Sequence, residues 1–309
     1  MISEKTFYLI PYLGVPGLSH PPSRQHIVEA NKAAKVMGIQ VHRIDVQGRN
    51  INFLNQRYFF RFPRYMPNDT KALRICECVL YGVEMSFGPF GDPDQPLPII
   101  RVADNVIRSK KEVNIDDLEE GSRLVLGQVT TGASVQSLIS SVSFIRHDRV
   151  AAAWKISRAL FIDQNLYNAS RFLYASQNDF FVYPGQINQA ASLTEQVAES
   201  GWEQNILENA ILNAFKVVEA VVGDPPSSDK KFYSKLRNIG VDPLEPVGYR
   251  DKKPIAEVIR DMNVVRDKKS AHGGTPDRDI TVAEVLGNQT CAKYILIYAI
   301  ENCLGERIW

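Results

Sequence analysis

The sequence predicts an α+β protein, in which a β-rich mixed domain over residues 1–147 precedes an α-helical domain over residues 148–309. The first half contains short runs of aromatic and β-branched residues separated by loops rich in proline and glycine, which is typical of strands. After residue 150 the apolar residues recur every three or four positions, which is typical of helices. A length of 309 residues suits two domains.

The composition is that of an ordinary globular protein, with 44% hydrophobic and 23% charged residues. The core can therefore be large enough to be stable without a metal ion or disulfide bonds. The four cysteines, Cys76, Cys78, Cys291 and Cys303, fit neither a disulfide framework nor a four-ligand zinc site. They indicate a reducing cytoplasm as the setting of the protein.

Charge and hydropathy limit the class of partner. No run approaches the ~20 apolar residues that cross a membrane, and the N-terminus lacks the layout of a signal peptide, so we expect no membrane partner. The formal net charge is +1, so the chain as a whole does not attract nucleic acid. Any contact with nucleic acid must come from a local basic patch.

The first domain is expected to alternate strands and a helix. Residues 5–12 and 39–46 read as strands, and residues 26–37 between them as a short helix. Residues 57–65 mix aromatics with arginines, which favours an ordinary strand with charged outer positions over a surface that clamps single-stranded RNA. Further strands are expected at 73–87, 97–103 and 122–129.

Cysteines and histidines of the first half are expected to be structural. Cys76 and Cys78 alternate within an apolar run, so both would lie on one face of a strand. Burial in that strand is the favoured interpretation, and metal ligation is the alternative. His20, His26 and His42 are scattered, which favours structural or surface roles.

The second domain is predicted to be a helical bundle. Residues 150–176 are mostly helical, with a break near residues 163–165. Residues 202–221 carry an apolar stripe typical of a core helix, and residues 230–239 form a short basic helix.

Two more helices complete the predicted bundle. Pro254 suits the first turn of one helix, and the glycines at 273 and 274 suit its end. Thr281 and Glu284 match a capping box, which starts a long final helix that runs through Leu304.

The most informative stretch lies near the end of the helix before the last. It contains Arg266, Asp267, Lys268, Lys269 and His272. Arginine is always charged and can hold a phosphate with a fork of donors, and histidine gives and takes protons at neutral pH. Together they are a minimal set for cleaving RNA without a metal ion, because one moves a proton and the other stabilises charge on the phosphorane.

A structural interpretation of the same stretch stays open. Basic side chains at a helix C-terminus also form a solvated cap that the helix dipole favours. On a regular helix, six residues leave Arg266 and His272 about 120° apart. The two side chains converge only if the helix breaks, or if a second chain brings its own copy.

No competing catalytic motif was found. The sequence has no glycine-rich phosphate loop, no dinucleotide-binding fingerprint and no metalloprotease helix. We therefore expect neither a cofactor nor a metal ion.

The C-terminal half of the chain resembles a known protein family. Ala214–Glu219 on a long helix, then Val265–Gly273, then a long apolar helix are together similar to a HEPN domain of the kind found in prokaryotic phage-defence and abortive-infection proteins. The resemblance covers roughly residues 202–304. It implies an α-helical bundle that forms a homodimer, with two Arg/His motifs facing each other. Many such domains are metal-independent ribonucleases, and others have lost catalysis and act as binding modules.

The resemblance also implies roles for individual residues. His272 would transfer protons, Arg266 would clamp the phosphate and the transition state, and Asp267 would orient one of the two. Lys268 and Lys269 match no position of the family, and they would either hold the RNA backbone or be solvated.

Three functions follow as expectations. The first is a metal-independent endoribonuclease that acts on RNA as a homodimer, in antiviral defence or as a toxin. The second is a non-catalytic HEPN interaction module whose N-terminal domain binds a partner or ligand. The third is an unrelated helical protein in which the Arg/His motif is a helix cap. Residues 1–147 resemble no family, and a regulatory partner could bind there.

Overall fold

The computed structural model describes residues 7–10, 24–47, 54–61, 69–87, 107–109, 147–181, 201–225, 228–248, 252–272 and 280–309. Most of these residues are helical. The helices are α1 (Arg24–Met37), α2 (Asp69–Phe87), α3 (His147–Ile162), α4 (Gln164–Phe181), α5 (Gly201–Val222), α6 (Asp229–Asn238), α7 (Ile255–His272) and α8 (Val282–Leu304). The strands are β1 (Phe7–Ile10), β2 (Gln40–Gln47), β3 (Leu54–Arg61), β4 (Ile107–Ser109), β5 (Pro246–Val247) and β6 (Lys253–Pro254).

The described residues divide into two compact units, and the division falls between Ile162 and Asp163. Helix α3 therefore belongs to the first unit, whereas the sequence placed the domain boundary before it, between residues 147 and 148. Each unit is described separately below.

The first unit combines an antiparallel sheet with three helices. The strand order is β2-β3-β1-β4, and the register sets Tyr8 of β1 opposite Phe60 of β3 and Arg108 of β4. Helices α1 and α2 both pack against α3. A Cβ atom at Gly82 of α2 would lie 2.5 Å from the carbonyl oxygen of Ala153, so a glycine is required where α2 and α3 approach most closely.

Several predictions for this unit are confirmed. Strands β1 and β2 lie at the predicted segments 5–12 and 39–46, and α1 lies at the predicted helix 26–37. Strand β3 begins three residues before the predicted strand 57–65 and overlaps it up to Arg61, and residues 62–65 lie outside the described residues. The predicted strands at 97–103 and 122–129 lie outside the described residues.

The prediction of a strand at 73–87 is wrong, because these residues form α2. The buried residues follow helical spacing and include Ile75, Cys78, Val79 and Met85. Cys76 and Cys78 therefore do not alternate along a strand. Burial raises the pKa of the Cys78 thiol to about 12, which disfavours the thiolate that a metal ion needs.

The second unit is a helical bundle, as predicted for the C-terminal region. Helix α4 packs against α5, and α8 packs against α4, α5 and α7. A buried polar link joins three of these helices: Ser176 donates to the carbonyl oxygen of Ala210 at 2.6 Å, and the Gln289 amide donates to the Ser176 hydroxyl at 3.0 Å. Such a satisfied buried link fixes the relative positions of the helices.

The helix ends of this unit were predicted well. The break near residues 163–165 is confirmed at Asp163, whose carboxylate accepts hydrogen bonds from the backbone amides of Asn165 and Leu166 and so caps α4. The capping box is also confirmed: the Thr281 hydroxyl accepts from the Glu284 amide at 3.2 Å, and the Glu284 carboxylate accepts from the Thr281 amide at 2.9 Å.

Candidate active site

Helix α7 carries Arg266 on the same face as its core residues. Ile255, Ile259 and Met262 are all fully buried, and their spacing of four and three residues defines one face of the helix. Arg266 follows Met262 by four residues and so continues this face toward α5. Its guanidinium carbon lies 4.9 Å from the ring centroid of the fully buried Phe215 of α5, which is cation–π geometry.

Three carboxylates surround the Arg266 guanidinium. One terminal nitrogen donates to Glu219 at 2.6 Å and to Asp224 at 2.9 Å. The Nε atom donates to Asp267 at 3.0 Å, and the second terminal nitrogen lies 3.0 Å from the same oxygen. Asp267 also accepts a hydrogen bond from Asn263 at 3.2 Å, so its carboxylate is held from two sides.

A turn after α5 brings Asp224 to the cluster. Gly223 has φ +79°, a left-handed conformation that favours glycine, and its amide donates to the carbonyl oxygen of Glu219. The carbonyl oxygen of Asp224 accepts a hydrogen bond from Lys235 of α6 at 3.0 Å. The candidate site is therefore built by the end of α5, by α6 and by α7.

Burial alone would lower the pKa of Arg266, but the hydrogen bonds to Asp224, Asp267 and Glu219 outweigh it and raise that pKa above its already high value. The guanidinium is charged at every physiological pH. With three carboxylates against one guanidinium, the cluster carries a formal excess of negative charge. A phosphate that binds Arg266 on this side therefore competes with these carboxylates for the guanidinium.

The carboxylates differ in how readily they could be replaced. The Asp224 side chain is 74% exposed, whereas the Glu219 side chain is 33% exposed. An exposed ion pair contributes little to stability, on the order of 0.2–1 kcal/mol. Asp224 is therefore the carboxylate that an incoming anion would displace at the lowest cost.

The remaining predicted site residues lie in the last turns of α7. The helix is unbroken from Ile255 to His272, so the Cα positions of Arg266 and His272 are about 120° apart around its axis and about 9 Å apart along it. A break of the helix between the two residues is thus not the way in which they would converge. The side chains of Lys268, Lys269 and His272 lie outside the described residues.

Sequence reasoning missed three partners of Arg266. Phe215 and Glu219 both lie in the segment Ala214–Glu219 that carries the resemblance, but only the folded chain places them against Arg266. Asp224 lies between the predicted helices 202–221 and 230–239, where the sequence indicated no site. Because Glu219 and Asp224 are 47 and 42 residues from Arg266, no local pattern could identify either contact.

A second polar cluster joins the loop before α7 to α8. Tyr294 donates to Glu245 at 2.5 Å and lies 3.4 Å from the hydroxyl of Tyr298. Burial and the hydrogen bond to Glu245 raise the pKa of Tyr294, so the phenol remains protonated. This cluster fixes a loop onto a helix.

The described residues contain neither a metal-binding cluster nor a membrane-spanning helix. No group of three or more histidine, cysteine, aspartate or glutamate side chains there is placed to hold a metal ion. None of the helices in that part of the chain is both long enough and apolar enough to cross a membrane.

The chain matches no protein-family model, and searches of curated proteins and of solved structures found no match either.

Proposed function

We propose that the protein is a metal-independent endoribonuclease of the HEPN type, in which the Arg266 and His272 motifs of two chains act together across a homodimer. Antiviral defence or toxin action is the setting that the resemblance implies. The finer description of the fold, a β-rich mixed domain followed by a HEPN-like bundle, is part of the same proposal.

One observation carries the proposal. The resemblance rests on two segments that are far apart in sequence, Ala214–Glu219 and Val265–Gly273. In the folded chain they meet through the 2.6 Å bond between Arg266 and Glu219 and through the stacking of Arg266 on Phe215. A chance match of two short segments gives no reason for them to contact each other.

The geometry of α7 supports a site that is shared by two chains. Arg266 and His272 lie on different sides of one unbroken helix. A single chain also supplies one His272, whereas cleavage needs both a general base and a general acid. A second copy supplies the missing group and brings a histidine to the arginine from outside the helix.

The proposed reaction is an internal transesterification of RNA. His272 of one chain removes the proton of a 2′-hydroxyl, and that oxygen attacks the adjacent phosphorus. His272 of the partner subunit donates a proton to the departing 5′-oxygen, so the products are a 2′,3′-cyclic phosphate and a 5′-hydroxyl. Arg266 binds the phosphate oxygens and stabilises the extra charge of the phosphorane. Asp267 orients Arg266 through the 3.0 Å bond to its Nε atom.

The test compares RNA cleavage by the wild type, His272→Ala and Arg266→Ala, with Arg171→Ala as a control that removes an exposed arginine from α4. We expect His272→Ala to lower the rate by about 10²–10⁴-fold and Arg266→Ala by about 10²–10³-fold. Arg171→Ala should keep the wild-type rate. Undiminished cleavage by both site variants would refute the proposal.

A shared site also predicts dependence on the protein concentration. Dilution below the dimer dissociation constant should abolish cleavage per chain. Adding an excess of His272→Ala chains to a fixed amount of wild type should lower the activity per wild-type chain, because a mixed dimer carries only one of the two histidines that cleavage needs. Activity per chain that stays constant on dilution to monomer would exclude the shared site.

The second candidate function is a non-catalytic HEPN interaction module. It is favoured by the three carboxylates that occupy Arg266, because their excess negative charge opposes a phosphate. This candidate predicts no cleavage by the wild type and no change in RNA binding when Arg266 is replaced. It also assigns partner binding to the N-terminal domain, which a truncated chain lacking that domain would not perform.

A further inference from the structure

We infer that the exposed face of α6 binds the backbone of single-stranded RNA and leads it to Arg266. This inference rests on the proposed ribonuclease function, and it assigns to the substrate a surface that the Arg/His motif does not contain. The near-neutral chain requires such a local basic patch, because its formal net charge is only +1.

Helix α6 carries exposed positive charge that does not pair with any carboxylate of the described residues. Lys230, Lys231 and Arg237 are exposed, and none of them forms an ion pair with another described residue. The only acidic residue of the helix, Asp229, is bonded to Arg260 of α7. An anion can therefore approach this face without first displacing a carboxylate.

The spacing of the cations makes one continuous face. Lys230, Ser234 and Arg237 follow one another at intervals of four and three residues, so they form a stripe about 10 Å long on the side opposite the buried Phe232 and Leu236. Lys231 lies beside this stripe, one turn before Lys235. The exposed Ser234 is the small polar residue between Lys230 and Arg237 on the stripe.

An aromatic ring adds to the charge. The Arg237 guanidinium carbon lies 6.0 Å from the ring centroid of the partly exposed Tyr233. A base can stack on tyrosine or on a planar guanidinium, and such stacking suits single strands, whose bases are not paired. Basic side chains beside an aromatic ring favour RNA over an acidic peptide.

Lys235 and Asp229, which lie on either side of this stripe, connect α6 to the candidate active site. Lys235 donates to the carbonyl oxygen of Asp224, and the Asp224 carboxylate accepts from Arg266. Arg260, which holds Asp229, lies on α7 six residues before Arg266. Two contacts thus connect α6 to the turn after α5 and to α7, and an RNA strand lying on α6 would reach the cluster at Asp224.

The experiment measures binding of the full-length chain to a fluorescein-labelled, 2′-O-methylated single-stranded RNA of mixed sequence, which lacks the nucleophile for cleavage. The test variant carries Lys230→Gln, Lys231→Gln and Arg237→Gln. The control variant carries Lys35→Gln, Lys216→Gln and Arg171→Gln, which removes the same number of exposed charges. Arg171 is a close match for Arg237, because it lies 5.8 Å from the ring of Tyr167 four residues before it.

The readout is the slope of log affinity against log salt. Each lost phosphate contact to a single strand removes about 0.7 from that slope, so the test variant should lose about 2 and the control variant should match the wild type. Between about 50 and 200 mM salt this difference corresponds to roughly twentyfold in affinity. Circular dichroism and thermal unfolding of each variant establish that α6 remains folded.

Three results would overturn the inference: a wild type that does not bind the RNA at low salt, equal loss of slope in the test and control variants, or competition by polyglutamate as strong as competition by unlabelled RNA. Cleavage of unmodified RNA is measured in parallel. If the test variant cleaves RNA with an unchanged KM, α6 does not bind the substrate, and the ribonuclease proposal still stands. If the wild type binds RNA through α6 but does not cleave it, the ribonuclease proposal fails and the binding surface still stands.

Discussion

The positive charge of Arg266 and that of the exposed face of α6 differ in burial and in ion pairing. Arg266 is partly buried, stacked on Phe215 and bonded to three carboxylates. Lys230, Lys231 and Arg237 are exposed and have no ion pair with a described residue. The first arrangement holds one guanidinium in a fixed place, and the second leaves several cations exposed to an anion in solution. We infer that capture of an anion and its positioning for chemistry belong to different parts of the second unit.

The largest expected effect comes from the buried phenylalanine beneath each region. Phe215 lies under Arg266, Phe232 anchors α6, and both are almost fully buried. Replacing either with alanine should lower the free energy of unfolding by ~3–5 kcal/mol, because each change leaves a cavity in the core. Urea denaturation measures both values, and Phe215→Leu replaces Phe215→Ala if that variant does not fold.

Double variants then separate the two regions. Phe215→Ala and Arg266→Ala should be less than additive, because the guanidinium stacks on the ring that the first change removes. Phe232→Ala and Arg237→Ala should be additive to within about 0.5 kcal/mol, because Arg237 stacks on Tyr233 instead. Equal coupling energies in the two pairs would contradict the distinction between Arg266, which is fixed by its neighbours, and Arg237, which is exposed.

The next effect compares the two arginines directly. Arg266→Ala leaves three carboxylates close together without their cation, so we expect a loss of ~1–3 kcal/mol in the free energy of unfolding. Arg237→Ala loses one exposed cation–π contact, for which about 0.5 kcal/mol is expected. Both changes remove one positive charge, so a difference between them reports the local contacts. Equal losses, measured by the same denaturation experiment, would contradict the comparison.

Local patterns in the sequence were enough to predict helix boundaries in the second unit. Asp163 and Thr281 end or begin helices through bonds to residues two or three positions away, which a pattern can reveal. The segment 73–87 was misassigned because a short apolar run suits both a strand and a buried helix, and only the spacing of Ile75, Cys78 and Met85 distinguishes them.

The partners of Arg266 were beyond such signals. Glu219 and Asp224 reach it from more than forty residues away, through the packing of α5 against α7 and the turn at Gly223. The sequence predicted Arg266 as a phosphate clamp because arginine is suited to that role. It could not reveal that Arg266 already donates hydrogen bonds to three carboxylates, with which a phosphate would have to compete.

The smallest effect is expected at Asp224, and it tests whether the two regions act in sequence on one strand. If RNA held by α6 places a phosphate on Arg266, that phosphate takes the position of the exposed Asp224 carboxylate. Asp224→Asn should then raise the affinity for 2′-O-methylated RNA by about 2–5-fold, the equivalent of one exposed ion pair.

Glu257→Gln is the matched control for this change. It removes one negative charge from an exposed position of α7, and Lys253 keeps its second partner, Asp261. An equal rise in both variants would mean that only the total charge matters. A rise confined to Asp224→Asn, and lost when Arg266→Ala is added, would show that the carboxylate and the phosphate compete for one guanidinium. Unchanged affinity in Asp224→Asn would mean that RNA bound on α6 does not reach Arg266. The exposed cations of α6 and the guanidinium of Arg266 would then not act on the same strand.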